Sequence, residues 1–312
     1  MKVRIAKIRD EATDVRSYRL EPEGGENLPE FTAGSHVDVF ISEGLSRQYS
    51  ICSDPADTGY YRVGIQKDAN STGGSEAVFR EFAEGQVIEI SEPRNHFRLK
   101  EDGVDFTLIG GGIGITPILA MAQRLAGLGK SFRLYYLARS EDRFGFADLL
   151  KDSALSDKIS YHNDAKDGLP DLAAMIGAHE AGRHVYCCGP TPLMDAVKDT
   201  CRAWPPMTVH FEHFTAVQSD TAEDTAFEVQ LGQGGEVLTV GADQTLLEVL
   251  RAHGLEIETQ CTQGLCGTCE QAVLEGDVDH RDLVLDDDEK AENSCMMVCV
   301  SRAKSGRLVL DV

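Results

Sequence analysis

The chain begins with short runs in which β-branched or aromatic residues alternate with charged ones. Residues 3–9, 15–21, 36–42, 47–52, 60–67 and 87–91 carry this pattern, with Gly, Pro, Asp or Ser between them. Val37, Val39 and Ile41 place one face inward. Short strands separated by turn signals predict a small antiparallel β-barrel. Residues 75–83 depart from it: Ala77, Val78 and Phe82 share a helical face, with Ser75 expected as N-cap. From Phe106 onward strands alternate with helices. Strands are expected at Phe106–Ile109, Phe132–Leu137, Ile159–His162, Val185–Cys187 and Met207–Phe211, and helices at 117–126, Phe146–Leu150, Leu172–Ile176 and Pro192–Cys201. That alternation predicts a parallel sheet covered by helices, with its ligand crevice at the carboxyl ends of the strands. Residues 215–226 are small, polar and aperiodic, as in a linker. Beyond them come a hairpin (227–231 and 236–240), a helix (245–252), a strand at 271–275, a helical turn through Ala291 and a closing strand at Arg307–Val312. The expected organisation is a barrel over 1–103, an α/β domain over 104–214, a linker over 215–226 and a third domain over 227–312.

The most specific chemistry lies in that third domain. Cys261, Cys266 and Cys269 stand at C-x4-C-x2-C, and Cys299 follows after 29 intervening residues. This is the ligand spacing of a plant-type [2Fe–2S] ferredoxin. Gly264 and Gly267 let the loop adopt conformations that a Cβ forbids, so that backbone N–H groups can turn toward cluster sulfurs. Zinc is the alternative, but structural zinc sites pair their ligands two by two, and here three share one loop. Cys295 is left over.

Two pieces of the barrel could hold a phosphorylated heterocycle. In Arg47-Gln48-Tyr49-Ser50, alternation points Arg47 and Tyr49 the same way, offering a charged fork for phosphate and a ring for a flat partner. Gly73, Gly74 and Ser75 open a helix whose free N–H groups suit a phosphate. In the α/β domain, a buried strand feeds Gly110-Gly111-Gly112-Ile113-Gly114-Ile115-Thr116-Pro117 and then a helix, a phosphate-cradling arrangement. The glycines do not complete G-x-G-x-x-G, because Pro117 occupies the last glycine position. Cys188 and Glu212 are expected at the same strand ends. His96 reads as a solvent-facing loop histidine.

Charge and cysteine usage narrow the partners. The formal net charge is −22 and the isoelectric point about 4.7. Such a surface repels nucleic acid and anionic membrane and favours a basic protein partner. Residues 227–312 hold 17 acidic and six basic side chains, a candidate docking face. No apolar run is long enough to span a bilayer, no signal peptide is evident, and five of nine cysteines fall after residue 260. A reducing, cytoplasmic setting is therefore expected.

Taken in order, Arg47-Gln-Tyr49-Ser50, the glycine turn at 111–117, Cys188-Gly189-Pro190 and the C-terminal cysteines resemble the phthalate dioxygenase reductase family, a branch of the ferredoxin–NADP reductase superfamily. Vanillate O-demethylase and carnitine monooxygenase reductases are similar. Met296-Met297-x-Cys299 and Ser301-Arg302-Ala303 also look like this family. The resemblance covers the whole chain. It implies a flavin barrel, an NAD-binding α/β domain and a β-grasp ferredoxin domain. It assigns Arg47, Tyr49 and Ser50 to the flavin, and Gly73, Gly74 and Ser75 to its side chain and phosphate. Gly111, Gly112, Gly114, Thr116 and Pro117 would face the nucleotide, Cys188 the nicotinamide, while Glu212 and Phe214 close that side of the flavin. FMN is favoured over FAD and NADH over NADPH, although Arg139, Ser140 and Arg143 leave room for a 2′-phosphate. The implied activity is an oxygenase reductase passing electrons singly to a Rieske-type oxygenase. A cytochrome P450 is the rival acceptor. A non-catalytic redox sensor or zinc-stabilised interaction protein is the alternative from another class.

Overall fold

The computed structural model describes residues 1–42, 44–67, 73–151, 155–214, 224–259, 262, 264–265, 267–285 and 287–312. The chain forms two compact units, Met1–Glu212 and His213–Val312.

The first unit begins with six antiparallel strands: β1 (Lys2–Ala12), β2 (Val15–Pro22), β3 (His36–Ser42), β4 (Leu45–Ser50), β5 (Tyr61–Gln66) and β6 (Val87–Ile90). Their order is β4-β3-β6-β1-β2-β5, and a bridge between Ile51 and Val63 joins the two ends. Alternation works as expected, with Val3, Ile5, Val37, Val39, Val63 and Ile65 buried in one core. Helix α1 (Gly74–Glu81) packs Val78 into it. Its N-cap is Gly73 at φ +93°, so the expected Ser75 cap is corrected. Only glycine takes that backbone conformation at low cost, and it moves the helix start ahead of the serine.

Five parallel strands follow: β7 (Asp105–Gly111), β8 (Ser131–Ala138), β9 (Ile159–Asn163), β10 (Arg183–Cys188) and β11 (Val209–Glu212), in the order β11-β10-β7-β8-β9. Helices α2 (Ile115–Gly127), α3 (Ala147–Lys151), α4 (Asp164–Asp167), α5 (Leu172–Ile176) and α6 (Thr191–Thr200) connect them. Ile115, Ile118, Leu119, Ala122 and Leu125 form the buried face of α2. Met207 was expected inside the last strand, but Pro205 and Pro206 lead into a 3-10 turn and leave it 73% exposed. Barrel and sheet share a core, since Val15, Ala33, Cys52 and Phe97 pack with the α2 side of the sheet. Gly64 of β5 makes the approach possible. A Cβ there would lie 2.6 Å from the Phe146 ring and 2.7 Å from Thr116 Cγ2.

The second unit contains β12 (Phe227–Leu231), β13 (Val237–Val240), α7 (Leu246–Ala252), β14 (Glu270–Glu275), β15 (Val278–Asp279), α8 (Asp287–Glu292), β16 (Cys295–Met297), β17 (Arg302–Ala303) and β18 (Arg307–Leu310). The main sheet runs β13-β12-β18-β14-β16, with β12 and β18 parallel, as a β-grasp requires. β15 and β17 form a small separate ladder that the hydrophobic pattern did not announce. Helix α7 starts with a reciprocal cap. Glu248 N–H donates to Thr245 Oγ1 at 3.2 Å and Thr245 N–H to Glu248 Oε2 at 2.8 Å. Leu246, Leu247 and Leu250 then pack into the core with Met296, Met297 and Leu308. Arg302 ties the unit together. Its guanidinium donates to the carbonyls of Gln244, Gly241 and Thr225 at 2.7–3.1 Å, and lies over the Phe227 ring. Among the described residues, no helix is long and apolar enough to cross a membrane.

Candidate functional site

On β4, pairing with β3 fixes which way each side chain points. Arg47 reaches helix α1 so closely that a Cβ on Gly74 would lie 2.7 Å from Arg47 Cγ and Nε. The glycine thus leaves space for the guanidinium beside the helix N-terminus. Tyr49 shares that face, and its hydroxyl is buried without a partner among the described residues. Burial also pushes the phenol above its ordinary pKa, and Arg47 opposes the shift. A buried hydroxyl without a partner among the described residues is one that a bound group could complete. Ser50 points the opposite way. Of the three residues that open the helix, Gly74 is the one packed against Arg47, with Gly73 and Ser75 on either side of it in the chain.

The second group forms at the carboxyl ends of β7, β10 and β11. Gly111 packs so tightly on Gly189 and Pro190 that a Cβ would meet Pro190 Cδ at 2.9 Å. At Gly114 a Cβ would sit 2.3 Å from the Cys188 carbonyl oxygen. Gly112, at φ +57°, faces open space. Thr116 and Pro117 are buried in the first turn of α2. The Thr116 hydroxyl donates to the Ile113 carbonyl at 3.0 Å, and its methyl faces Gly64. The local structure uses both residues to anchor the turn.

Cys188 and Glu212 are register partners on adjacent parallel strands. Ser50, arriving from the barrel, hydrogen-bonds the Glu212 carboxyl. Glu212 is half-buried at the sheet edge, yet its Oε2 is sealed from solvent and unpartnered among the described residues. Desolvation pushes the carboxyl up to about 8, with the Ser50 bond opposing. At neutral pH it is a carboxylic acid that can donate a hydrogen bond. Cys188 is fully enclosed, and burial followed by the nearby Glu212 carboxyl raises its pKa well above the thiol range. It is a neutral thiol, unsuited to nucleophilic chemistry. Phe214 belongs to the second unit and is 40% exposed. Sequence spacing could not reveal the Ser50–Glu212 contact, because 161 residues and two sheets separate the partners.

In the second unit, Cys261 and Cys266 lie outside the described residues. Cys269 and Cys299 are 2% and 4% exposed and belong to one core cluster. The pairing of β14 with β16 sets Glu270 opposite Met297, bringing the residue before β14 beside the arm that ends in Cys299. Val298 N–H accordingly points at the Cys269 carbonyl, 3.4 Å away. Gly264 and Gly267 have φ of +67° and +74°, as the loop reading required. Two buried thiols on converging arms beside a glycine-opened loop fit a thiolate-held cluster.

Comparison with known proteins agrees with this architecture. Residues 229–304 match the 2Fe-2S iron-sulfur cluster binding domain. Vanillate O-demethylase oxidoreductase of Pseudomonas sp. (strain HR199 / DSM 7063) is 44% identical over 317 residues, covering 100% of both chains. A solved phthalate dioxygenase reductase is 40% identical with a TM-score of 0.74, covering 100% of this chain and 98% of that one. The chain belongs to the phthalate dioxygenase reductase family. It is therefore an oxidoreductase, the reductase component of an oxygenase system, with a [2Fe–2S] domain at its C-terminal end. The solved family member is described as a modular structure for electron transfer from pyridine nucleotides to [2Fe–2S]. An intact type IV self-sufficient cytochrome P450 monooxygenase also matches, at 36% identity and a TM-score of 0.91, covering 100% of this chain and 41% of that protein.

Proposed function

We propose that this reductase takes hydride from NADH onto FMN and delivers electrons one at a time through its [2Fe–2S] cluster to a separate Rieske-type oxygenase. The observation that carries this reading is a pair of buried oxygens without partners among the described residues, the Tyr49 hydroxyl and Glu212 Oε2, with Arg47 packed on Gly74 near the first and Ser50 bonded to the carboxyl of the second. FMN, when bound, supplies the step from an electron pair to single electrons, and the cluster carries them onward. Arg47 and the N–H groups at Gly74 and Ser75 hold the phosphate. Tyr49 would offer its hydroxyl to the bound flavin. Ser50 and the neutral Glu212 offer hydrogen bonds on the nicotinamide side, and the enclosed Cys188 shapes that wall without exchanging protons. Gly112 admits the pyrophosphate. The catalytic contribution of Glu212 and the assignment of Cys188 rest on the family resemblance and this geometry together, and that of Phe214 on the resemblance alone.

NADH rather than NADPH is supported by the groups after β8. Ser140 donates to Asp142 Oδ1 at 2.6 Å, and this bond, followed by one from Thr13, holds the Asp142 carboxyl below its ordinary range. Arg143 leans on Asp14 at 3.5 Å and Asp142 at 3.9 Å. Two of the three donors that a 2′-phosphate would need, Ser140 and Arg143, lie against carboxylates that would repel it, while Arg139 is exposed.

The match to a vanillate O-demethylase oxidoreductase over both full lengths supports a demethylase as acceptor, which this reading takes to be of the Rieske type. The match to a P450-containing protein keeps that acceptor as the rival. Purified protein should show flavin bands over broad iron–sulfur absorption, both bleached by NADH. Colourless, zinc-loaded protein would overturn the reading. Anaerobic mixing of the reduced protein with a purified Rieske-type demethylase and with a P450 separates the acceptors, with faster oxidation expected by the former.

A further inference from the structure

The segment 280–285 runs beneath the cysteine loop and contains a buried carboxylate that the electron relay does not yet use. Asp282 is 2% exposed. Its Oδ2 accepts from the N–H groups of Val284 and Leu285 at 3.1 and 2.9 Å, which folds the turn tightly. That turn aims Leu283 N–H at the carbonyl of Gly264, 2.9 Å away, between Cys261 and Cys266 in the chain. The contact is close, since a Cβ on Gly264 would lie 3.1 Å from Asp282 Cα and 2.7 Å from Val300 Cγ2. The other carboxylate oxygen accepts from the Ser301 hydroxyl at 3.4 Å. Ser301 is itself buried and stands two residues after Cys299. One side chain thus ties the glycine side of the cysteine loop to the arm bearing the fourth cysteine.

Among the described residues, no Lys or Arg forms an ion pair with its carboxylate. All three groups bonded to the carboxylate are N–H or O–H donors. The Lys290 ammonium ends on the backbone carbonyl of Asp282 rather than on its carboxylate. His280 Nδ1 is 3.7 Å from Oδ1, but both ring nitrogens are buried without a partner among the described residues. Burial lowers the His280 pKa and keeps the ring neutral.

We propose that Asp282 is a positioning residue for the iron–sulfur cluster, bracing the cysteine loop against the Cys299 arm and lowering the cluster's reduction potential with its fixed negative charge. The proposal rests on the [2Fe–2S] reading. The potential of such a cluster follows local net charge and hydrogen bonding, and a negative charge stabilises the more oxidised state.

The test uses full-length D282N and S301A, each reconstituted with iron and sulfide beside the parent protein. Parent protein that shows no [2Fe–2S] EPR signal on reduction would refute the cluster reading itself. Given that signal, D282N keeps an oxygen for the Val284 and Leu285 N–H groups but loses the charge. Its midpoint potential should move positive, with altered EPR g-values. S301A keeps the charge and loses the tie between the arms. Its cluster should bleach about tenfold faster on warming, the consequence of one lost buried hydrogen bond, while its potential does not move positive. Parent-like potential in D282N, or parent-like bleaching in S301A, overturns the proposal. If D282N folds by circular dichroism yet cannot be loaded, the S301A bleaching rate alone decides it.

Discussion

Glu212 allows a quantitative test of the site without any bound ligand. In an unfolded chain its carboxyl titrates near 4.5, whereas desolvation in the folded unit raises it to about 8. Below pH 4.5 both states hold the proton, and the carboxyl costs nothing. As pH rises toward 8 the unfolded chain releases its proton while the folded unit keeps it. Stability is therefore fully present below the unfolded pKa and lost as pH rises through the folded one. At about 1.36 kcal/mol per pKa unit the full loss is roughly 5 kcal/mol, and relaxation of the edge strand β11 reduces this to ~2–5 kcal/mol. Gln cannot ionise, so E212Q removes the loss while keeping size and hydrogen bonding. The assay is urea denaturation of flavin-free protein at pH 4.5 and 8.5, followed by fluorescence of Trp204, the single tryptophan, which lies in the first unit. E212Q and parent should be equally stable at pH 4.5. At pH 8.5 the variant should be more stable by at least about 2 kcal/mol. Taking the difference between the two proteins cancels His36 and His210, whose pKa values burial lowers to about 4. An identical difference at both pH values would refute the desolvated-carboxyl argument.

Two other substitutions probe the nucleotide side. G114A places a Cβ 2.3 Å from the Cys188 carbonyl oxygen and 2.7 Å from Gly189 N, both backbone atoms with no rotamer to escape to. It should cost ~2–4 kcal/mol in urea denaturation and raise the KM for NADH, whereas an unchanged protein would mean that the turn is not held as described. D142S releases Ser140 and Arg143 from the Asp142 carboxylate. NADPH kcat/KM should rise about tenfold, the equivalent of one charge-assisted contact, with NADH little affected, and steady-state kinetics with both nucleotides decides it.

What could be read from the sequence follows from what is local. The cysteine spacing, the glycine turn before α2 and the strand alternation in β1, β3 and β5 depend on near neighbours, so their residues were visible as motifs. The start of α1 was misplaced because Ser75 is the better side-chain cap, but the left-handed Gly73 takes that position by backbone conformation. Two consecutive prolines delayed β11 past Met207. The contacts that assemble the site were not visible at all. Ser50 meets Glu212 through packing of a barrel strand on a sheet edge. Asp282 and Ser301 meet only because β15 pairs with β17, a ladder too short to leave a hydrophobic period. The sequence showed which chemistry was available, and the long-range packing shows which groups share it.

The relay itself stands or falls on where electrons leave the protein. In C266S the first unit is untouched, so flavin content and NADH–ferricyanide activity should match the parent, while cytochrome c reduction is abolished together with the [2Fe–2S] EPR signal. Cytochrome c reduction at the parental rate in a variant shown by EPR to lack the cluster would contradict the cluster's role as the exit.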